Sequence, residues 1–146
     1  MPHVTVGFSS SSVSLACDSL QPGHLAVPST SDPPFRIHIT PRTSGYYVTV
    51  KGNGGQKFRG FLLEARDVQE EGRRAGRFLE VQDSGRIISC SFGGGGVQHS
   101  DGSIKNQVTA LWNPHNFTGQ VIFRATVVES YFIYWTGIES DVLNLV

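Results

Sequence analysis

The sequence predicts an all-β protein, an antiparallel β-sandwich, and three observations carry that reading. Seventeen glycines and seven prolines are spread between short apolar runs along 146 residues, so turns recur and the elements they join are short. No heptad pattern and few helical periodicities interrupt this spacing. The last third of the chain is the most informative: Gln107 to Trp112, Gly119 to Glu129 and Tyr131 to Ile138 read as three strands in close succession, punctuated at Asn113-Pro114 and near Tyr131. Within the second of these, Val121, Ile122, Phe123, Ala125, Val127 and Val128 form an almost wholly apolar run of β-branched and aromatic residues. Such a run suits a strand buried against a second sheet better than an amphipathic helix.

Taken in order, Met1 to Pro34 is polar and broken by Pro22, Gly23, Pro28, Pro33 and Pro34, so it is expected to wrap the domain as loop with one edge strand at most. Residues 1–16 are read as a loosely ordered or edge N-terminal segment. Phe35, Ile37 and Ile39 alternate with Arg36, His38 and Thr40, the period of a strand with one wet face, which points His38 to solvent. Tyr46 to Lys51 follows the turn residues Thr43-Ser44-Gly45 and ends in Gly52-Asn53-Gly54-Gly55, residues that accept positive φ. Phe58 to Arg66 is apolar enough to be central. A charged stretch from Asp67 leads to a short strand at Arg77 to Gln82, and Arg86 to Phe92 precedes the glycine run Gly93 to Gly96, which reads as a flexible loop. With no internal repeat and no domain-sized linker, residues 1–146 are expected to form one domain, burying roughly two thirds of the unfolded surface.

Twelve basic and twelve acidic residues give zero net charge, so the overall balance attracts neither nucleic acid nor an anionic membrane at long range. No segment approaches the ~20 apolar residues of a membrane-spanning helix. Met1 to Ala16 is serine-rich and lacks a basic start and a continuous apolar stretch, so it is not an intact secretion signal. Cys17 and Cys90 lie roughly 70 residues apart. By spacing they are either one long-range disulfide, for which chain entropy assigns about 4 kcal/mol, or two buried thiols.

Chemistry-bearing residues form no reaction motif. His3, His24, His38, His99 and His115 are dispersed without metal-ligand spacing, so no structural metal and no cofactor are expected. His99-Ser100-Asp101 is contiguous, and adjacent residues on an extended chain point in different directions, so no catalytic triad is expected. The glycine run lacks the Lys-Ser/Thr and the helix of a phosphate cradle. Arg66 is expected to make a structural ion pair with Asp67 or Glu64, and Trp112, Trp135, Phe61 and Phe123 to lie in the core. Asn116-Phe117-Thr118 satisfies the N-glycosylation pattern in an expected exposed turn.

Ala16-Cys17-Asp18, Pro22-Gly23-His24 and Pro34-Phe35-Arg36-Ile37 together resemble the opening of the reeler domain, the N-terminal module of Reelin and F-spondin. Phe58-Arg59-Gly60-Phe61-Leu62-Leu63-Glu64-Ala65-Arg66 is similar to that family's most recognisable segment, except that a glutamine is usual where Glu64 stands. Val97-Gln98-His99-Ser100, Lys105, Leu111-Trp112-Asn113-Pro114, Gly119 to Val128 and Tyr134-Trp135 to Ser140 match its remaining motifs in order. The resemblance implies an immunoglobulin-like sandwich of about eight or nine strands, an extracellular, secreted setting and a binding role without catalysis. It also implies that Cys17 pairs with Cys90. Stand-alone members are associated with innate defence in invertebrates, recognising microbial surface material such as lipopolysaccharide, lipoteichoic acid or glucan. In larger proteins the module serves matrix adhesion or accompanies membrane ferric-chelate reductases. The sequence carries no reductase, thrombospondin or membrane segment, so the defence role leads; the alternatives are a matrix or cell-adhesion module binding protein or glycosaminoglycan, or an excised ectodomain of a ferric-chelate-reductase-like protein.

For a binding surface, Lys51, Lys57, Arg59, Arg73, Arg74, Arg77 and Arg86 fall within one stretch of strands and loops and are candidates for a basic patch engaging anionic polymers through charge-assisted hydrogen bonds. Glu64, Asp67, Glu70, Glu71, Glu80 and Asp83 interleave with them, and the competing reading is that these acids cancel much of the field.

Overall fold

The computed structural model describes residues 27–70, 73–82, 84–89 and 95–146. These build two antiparallel sheets. The first contains β1 (Phe35–Arg42), β2 (Gly45–Gly52), β7 (Gln107–Asn113) and β4 (Arg77–Val81), in the order β1-β2-β7-β4. The second runs β10-β8-β3-β6-β5, from β10 (Leu143–Leu145) through β8 (Gly119–Ser130), β3 (Gly60–Asp67) and β6 (Gly95–His99) to β5 (Gly85–Ser89), with β9 (Ile133–Glu139) also paired to β8. No α-helix occurs among the described residues; a 3-10 turn at Asn53–Gly55 is the one helical piece.

Ten strands therefore form among the described residues where eight or nine are expected, and the expected sandwich architecture holds. The additions are β6 and β10. β6 begins inside the glycine run: Gly95 and Gly96 pair with Ser89 and Ile88 on one side, and Gly96 with Glu64 on the other. Its glycines admit a close backbone approach, since a Cβ on Gly95 would lie 2.4 Å from the Ile88 carbonyl oxygen. β10 is three residues long and shares an edge of β8 with β9. Val27 to Pro34 contains no strand and is tied alongside β9, where the Ser29 N–H donates to the Tyr134 carbonyl at 2.7 Å. Residues 1–16, Cys17 and Cys90 lie outside the described residues, and so does the implied disulfide.

The core forms where the sheets face each other. Trp112 of β7 meets Phe123 of β8 edge-on at 5.1 Å, and Phe35 of β1 meets Trp135 of β9 at 5.4 Å, so aromatic rings lock the two layers together. Phe61, Trp112 and Phe123 are fully buried and Trp135 nearly so, as the sequence predicts, each contributing roughly 2–3 kcal/mol by burial. The Trp112 indole N–H donates to the Ala75 carbonyl at 2.9 Å, which satisfies its one polar atom. Gly76 allows this approach: its φ is 64°, and a Cβ there would lie 2.3 Å from Cζ2 of Trp112. Gly76→Ala is expected to destabilise by about 2 kcal/mol, from the left-handed backbone and the clash together, read as a lowered urea midpoint with an unchanged m-value.

β3 occupies the centre of its sheet, and all eight of its residues are buried. Phe61, Leu63 and Ala65 enter the core. Leu62, Glu64 and Arg66 alternate onto the opposite face, where Gln98, Thr126 and Val128 of the neighbouring strands are buried as well.

Candidate binding site at one end of the sandwich

Strand register sorts the candidate cations. β2 ends, β3 begins, β6 ends and β7 begins at one end of the sandwich, which carries Lys51, Lys57 and Arg59. β3 ends and β4 begins at the other, which carries Arg73, Arg74 and Arg77. The eight residues of β3 separate these ends by roughly 23 Å at about 3.3 Å per residue. Arg86 lies on edge strand β5 opposite Gln98, exposed. The seven residues thus do not converge into one patch.

Arg74 leaves the surface altogether. Its guanidinium is 3 % exposed and donates to Glu64 Oε2 at 3.2 Å, while Arg66 donates through Nε to Oε1 of the same carboxylate at 2.8 Å. The expected Arg66 ion pair is therefore with Glu64, and it is shared with Arg74. Burial pushes the Glu64 carboxyl up and outweighs the two guanidiniums, which pull it down. Arg73 stays on the surface among acids, with Nη1 3.9 Å from Asp67 and 4.0 Å from Glu70, and its guanidinium lies 5.9 Å from the Phe117 ring centroid. Asn116 shares that far end, exposed in the β7–β8 turn with φ 71°. At this end Arg73 and Arg74 lie against acids.

At the near end the charges stand differently. Arg36 and Lys51 are directly opposite each other in the β1–β2 ladder, and both are exposed. Cross-strand neighbours sit about 5 Å apart at Cβ, so two like charges are held side by side at a cost. Lys51 is also opposite the neutral Gln107. Beyond the strand ends, Lys57 donates to the Asn106 side chain and Arg59 donates to the Gly102 carbonyl at 3.0 Å. None of Arg36, Lys51, Lys57 and Arg59 forms an ion pair among the described residues. Sequence reasoning missed Arg36, placing it on a wet strand face without the register that sets it against Lys51.

Lys105 organises these loops from inside. Its ammonium is 2 % exposed and donates to the carbonyls of Arg59, Asp101 and Ser103 at 2.7, 2.8 and 2.7 Å, with the Asp101 carboxylate 3.7 Å away. Desolvation lowers its pKa, opposed by Asp101. The Ser103 side-chain and backbone hydrogen bonds hold the exposed Asp101 carboxyl below its ordinary value. Gln56 donates to Glu129 at 3.1 Å, tying the β2–β3 loop to the end of β8. Two loops and a strand end are fastened together.

Nothing in this arrangement assembles a nucleophile and a base. His99 is buried with Nδ1 accepting the Phe61 N–H at 3.1 Å, Ser100 is exposed, and Asp101 is engaged by Ser103, so the three consecutive residues do not converge. Burial lowers the His99 pKa to about 4. Among the described residues no group of three His, Cys, Asp or Glu is placed to hold a metal ion, and no helix is long and apolar enough to cross a membrane.

Comparison with known proteins agrees with this fold. The family model described as "Reeler domain" matches residues 15–146. The chain belongs to the reeler family. This reeler domain is 30% identical over 143 residues to "Putative defense protein 3" of Antheraea mylitta, covering 94% of this chain and 86% of that protein. It is 32% identical over 142 residues to "Putative defense protein" of Bombyx mori, covering 90% and 81%. "Ferric-chelate reductase 1" of Bos taurus is 31% identical over 97% of the reeler chain, but the match takes up only 25% of the reductase. Among solved structures, the human F-spondin reeler domain superposes with a TM-score of 0.63 at 21% identity, covering 81% of this chain and 93% of that one, a likeness of fold.

Proposed function

We propose that this reeler domain is an extracellular, non-catalytic recognition module of the defence type that binds anionic polymers of microbial surfaces. The observation that carries the reading is the side-by-side pair Arg36 and Lys51, extended past the strand ends by Lys57 and Arg59. A like-charge pair in register is destabilising in the free protein and is relieved by a phosphate, sulfate or carboxylate lying across it. Zero net charge leaves little long-range pull, so recognition depends on this local grouping. The resemblance along most of their length to the two moth defense proteins supports the biological setting. The reductase matches account for a quarter of that protein, so its reaction is not assigned to this domain.

The test is retention of the purified domain on whole Gram-positive and Gram-negative bacteria across a salt series. Retention is expected to fall steeply as salt rises. Lys51→Glu with Lys57→Glu is expected to weaken it roughly tenfold or more, since two contacts become repulsions, while Arg73→Glu with Arg77→Glu at the far end leaves it unchanged. Equal losses for both pairs, or retention indifferent to salt, would refute the assignment.

A further inference from the structure

The same end of the sandwich is apolar at its tips. Phe132, in the β8–β9 turn, is 74 % exposed, Ile133 beside it is 41 % exposed, and Ile104, in the β6–β7 loop, is 59 % exposed. Each is large; Phe132 and Ile104 sit where a polar turn residue would cost nothing, and Ile133 opens β9 directly after the turn. The cations are placed around them. Arg59 is anchored on Gly102 and Lys57 on Asn106, two residues to either side of Ile104. The acids at this end are occupied: Asp101 by Ser103 and the nearby Lys105, and Glu129 by Gln56. Asp32 lies on the lead-in to β1. The β6–β7 loop that presents Ile104 is pinned by the Lys105 ammonium, and the Gln56–Glu129 bond holds the end of β8 that leads into the next turn. In that turn Phe132 packs edge-on against the Tyr131 ring at 4.6 Å while staying 74 % exposed.

Apolar tips bracketed by cations are the arrangement of a protein that rests on an anionic bilayer, with side chains entering the acyl boundary and ammonium and guanidinium groups at the headgroups. We propose that Phe132, Ile133 and Ile104 insert into the surface of an anionic lipid membrane while Lys57 and Arg59 engage its headgroup phosphates. The proposal rests on the polyanion-binding reading of this end and adds the lipid to it. A soluble polymer requires the cations and leaves Phe132 and Ile104 without a role; a bilayer uses both.

The experiment measures binding to vesicles of pure phosphatidylcholine and of an equimolar phosphatidylcholine–phosphatidylglycerol mixture, alongside binding to dextran sulfate as a lipid-free polyanion. Phe132→Trp reports insertion, and Leu79→Trp, at an exposed position on β4 away from the tips, serves as the control. Expected are binding at least tenfold tighter to the anionic vesicles than to the neutral ones, and a blue-shifted emission at position 132 but not at 79. Phe132→Ser with Ile104→Ser is expected to lose vesicle binding tenfold or more and to keep dextran sulfate binding. These positions are exposed, so the substitution leaves the fold intact, as thermal unfolding verifies. Dextran sulfate binding with no vesicle binding, or vesicle binding that the serine pair does not weaken, overturns the membrane proposal and leaves the polyanion reading standing. Failure to bind either overturns both.

Discussion

Replacing Glu64 with alanine is expected to destabilise the domain by about 3–5 kcal/mol, because it leaves the buried guanidiniums of Arg66 and Arg74 without the carboxylate they share. Few single substitutions on a surface strand approach that value, since exposed ion pairs contribute well under about 1 kcal/mol. The difference lies in burial: Glu64 is fully covered and both arginine heads nearly so. Equilibrium urea unfolding measures the loss as a shift in midpoint. The companion variant Glu64→Leu, Arg66→Met, Arg74→Met removes the whole cluster and is expected to recover most of the stability, because apolar groups of similar volume carry no desolvation penalty. A Glu64→Ala variant within about 1 kcal/mol of the parent would mean that the cluster is solvated in solution.

The second large effect is a loss of stability in acid centred on His99. Burial lowers its pKa from 6.5 to about 4, with Lys105 and Arg86 also disfavouring the cation and the Phe61 backbone and Asp101 favouring it. The unfolded chain therefore takes up this proton before the folded one does. The stability linked to the neutral ring is fully present above pH 6.5 and declines as the pH falls from 6.5 towards 4. Over that window the loss amounts to about 3 kcal/mol, since each tenfold difference in proton affinity between the folded and unfolded chain is worth roughly 1.4 kcal/mol. Glu64 acts in the opposite sense, since its raised pKa makes the folded form the better proton acceptor. The quantity to measure is thus the difference between the parent and His99→Gln in urea midpoint from pH 7 to pH 4. The parent is expected to lose stability more steeply, and parallel curves would mean that folding leaves the proton affinity of His99 unchanged.

Much of the fold was legible because period-two alternation and turn residues are local signals. Phe35 to Thr40 alternates and is a strand; Gln107 to Trp112 and Gly119 to Glu129 sit within a residue or so of the observed bounds. β6 was hidden because its first residues are glycines, whose lack of side chains reads as loop although here it admits the backbone of β5. The binding end was only partly legible. Lys51, Lys57 and Arg59 were picked out by type, but grouping them with Arg73, Arg74 and Arg77 required that nearness along the chain mean nearness in space. Antiparallel strands break that inference: crossing β3 once carries the chain the full height of the sandwich. The turning-in of Arg74 depends on a bridge between Arg66 and Arg74, a pairing no local pattern announces.

One property of β3 reaches beyond this molecule. It is hydrogen-bonded along both edges, by β8 and β6, and buried on both faces. Each residue on it meets a backbone partner sideways and a packed side chain above or below, so a substitution there disturbs neighbours in several directions at once. A substitution at a hairpin or an edge disturbs fewer partners than one in the middle of this sheet. Phe58 to Arg66, the segment read in the sequence as most resembling the reeler domain, covers most of this strand, so that resemblance rests on the run of backbone with the most crowded surroundings.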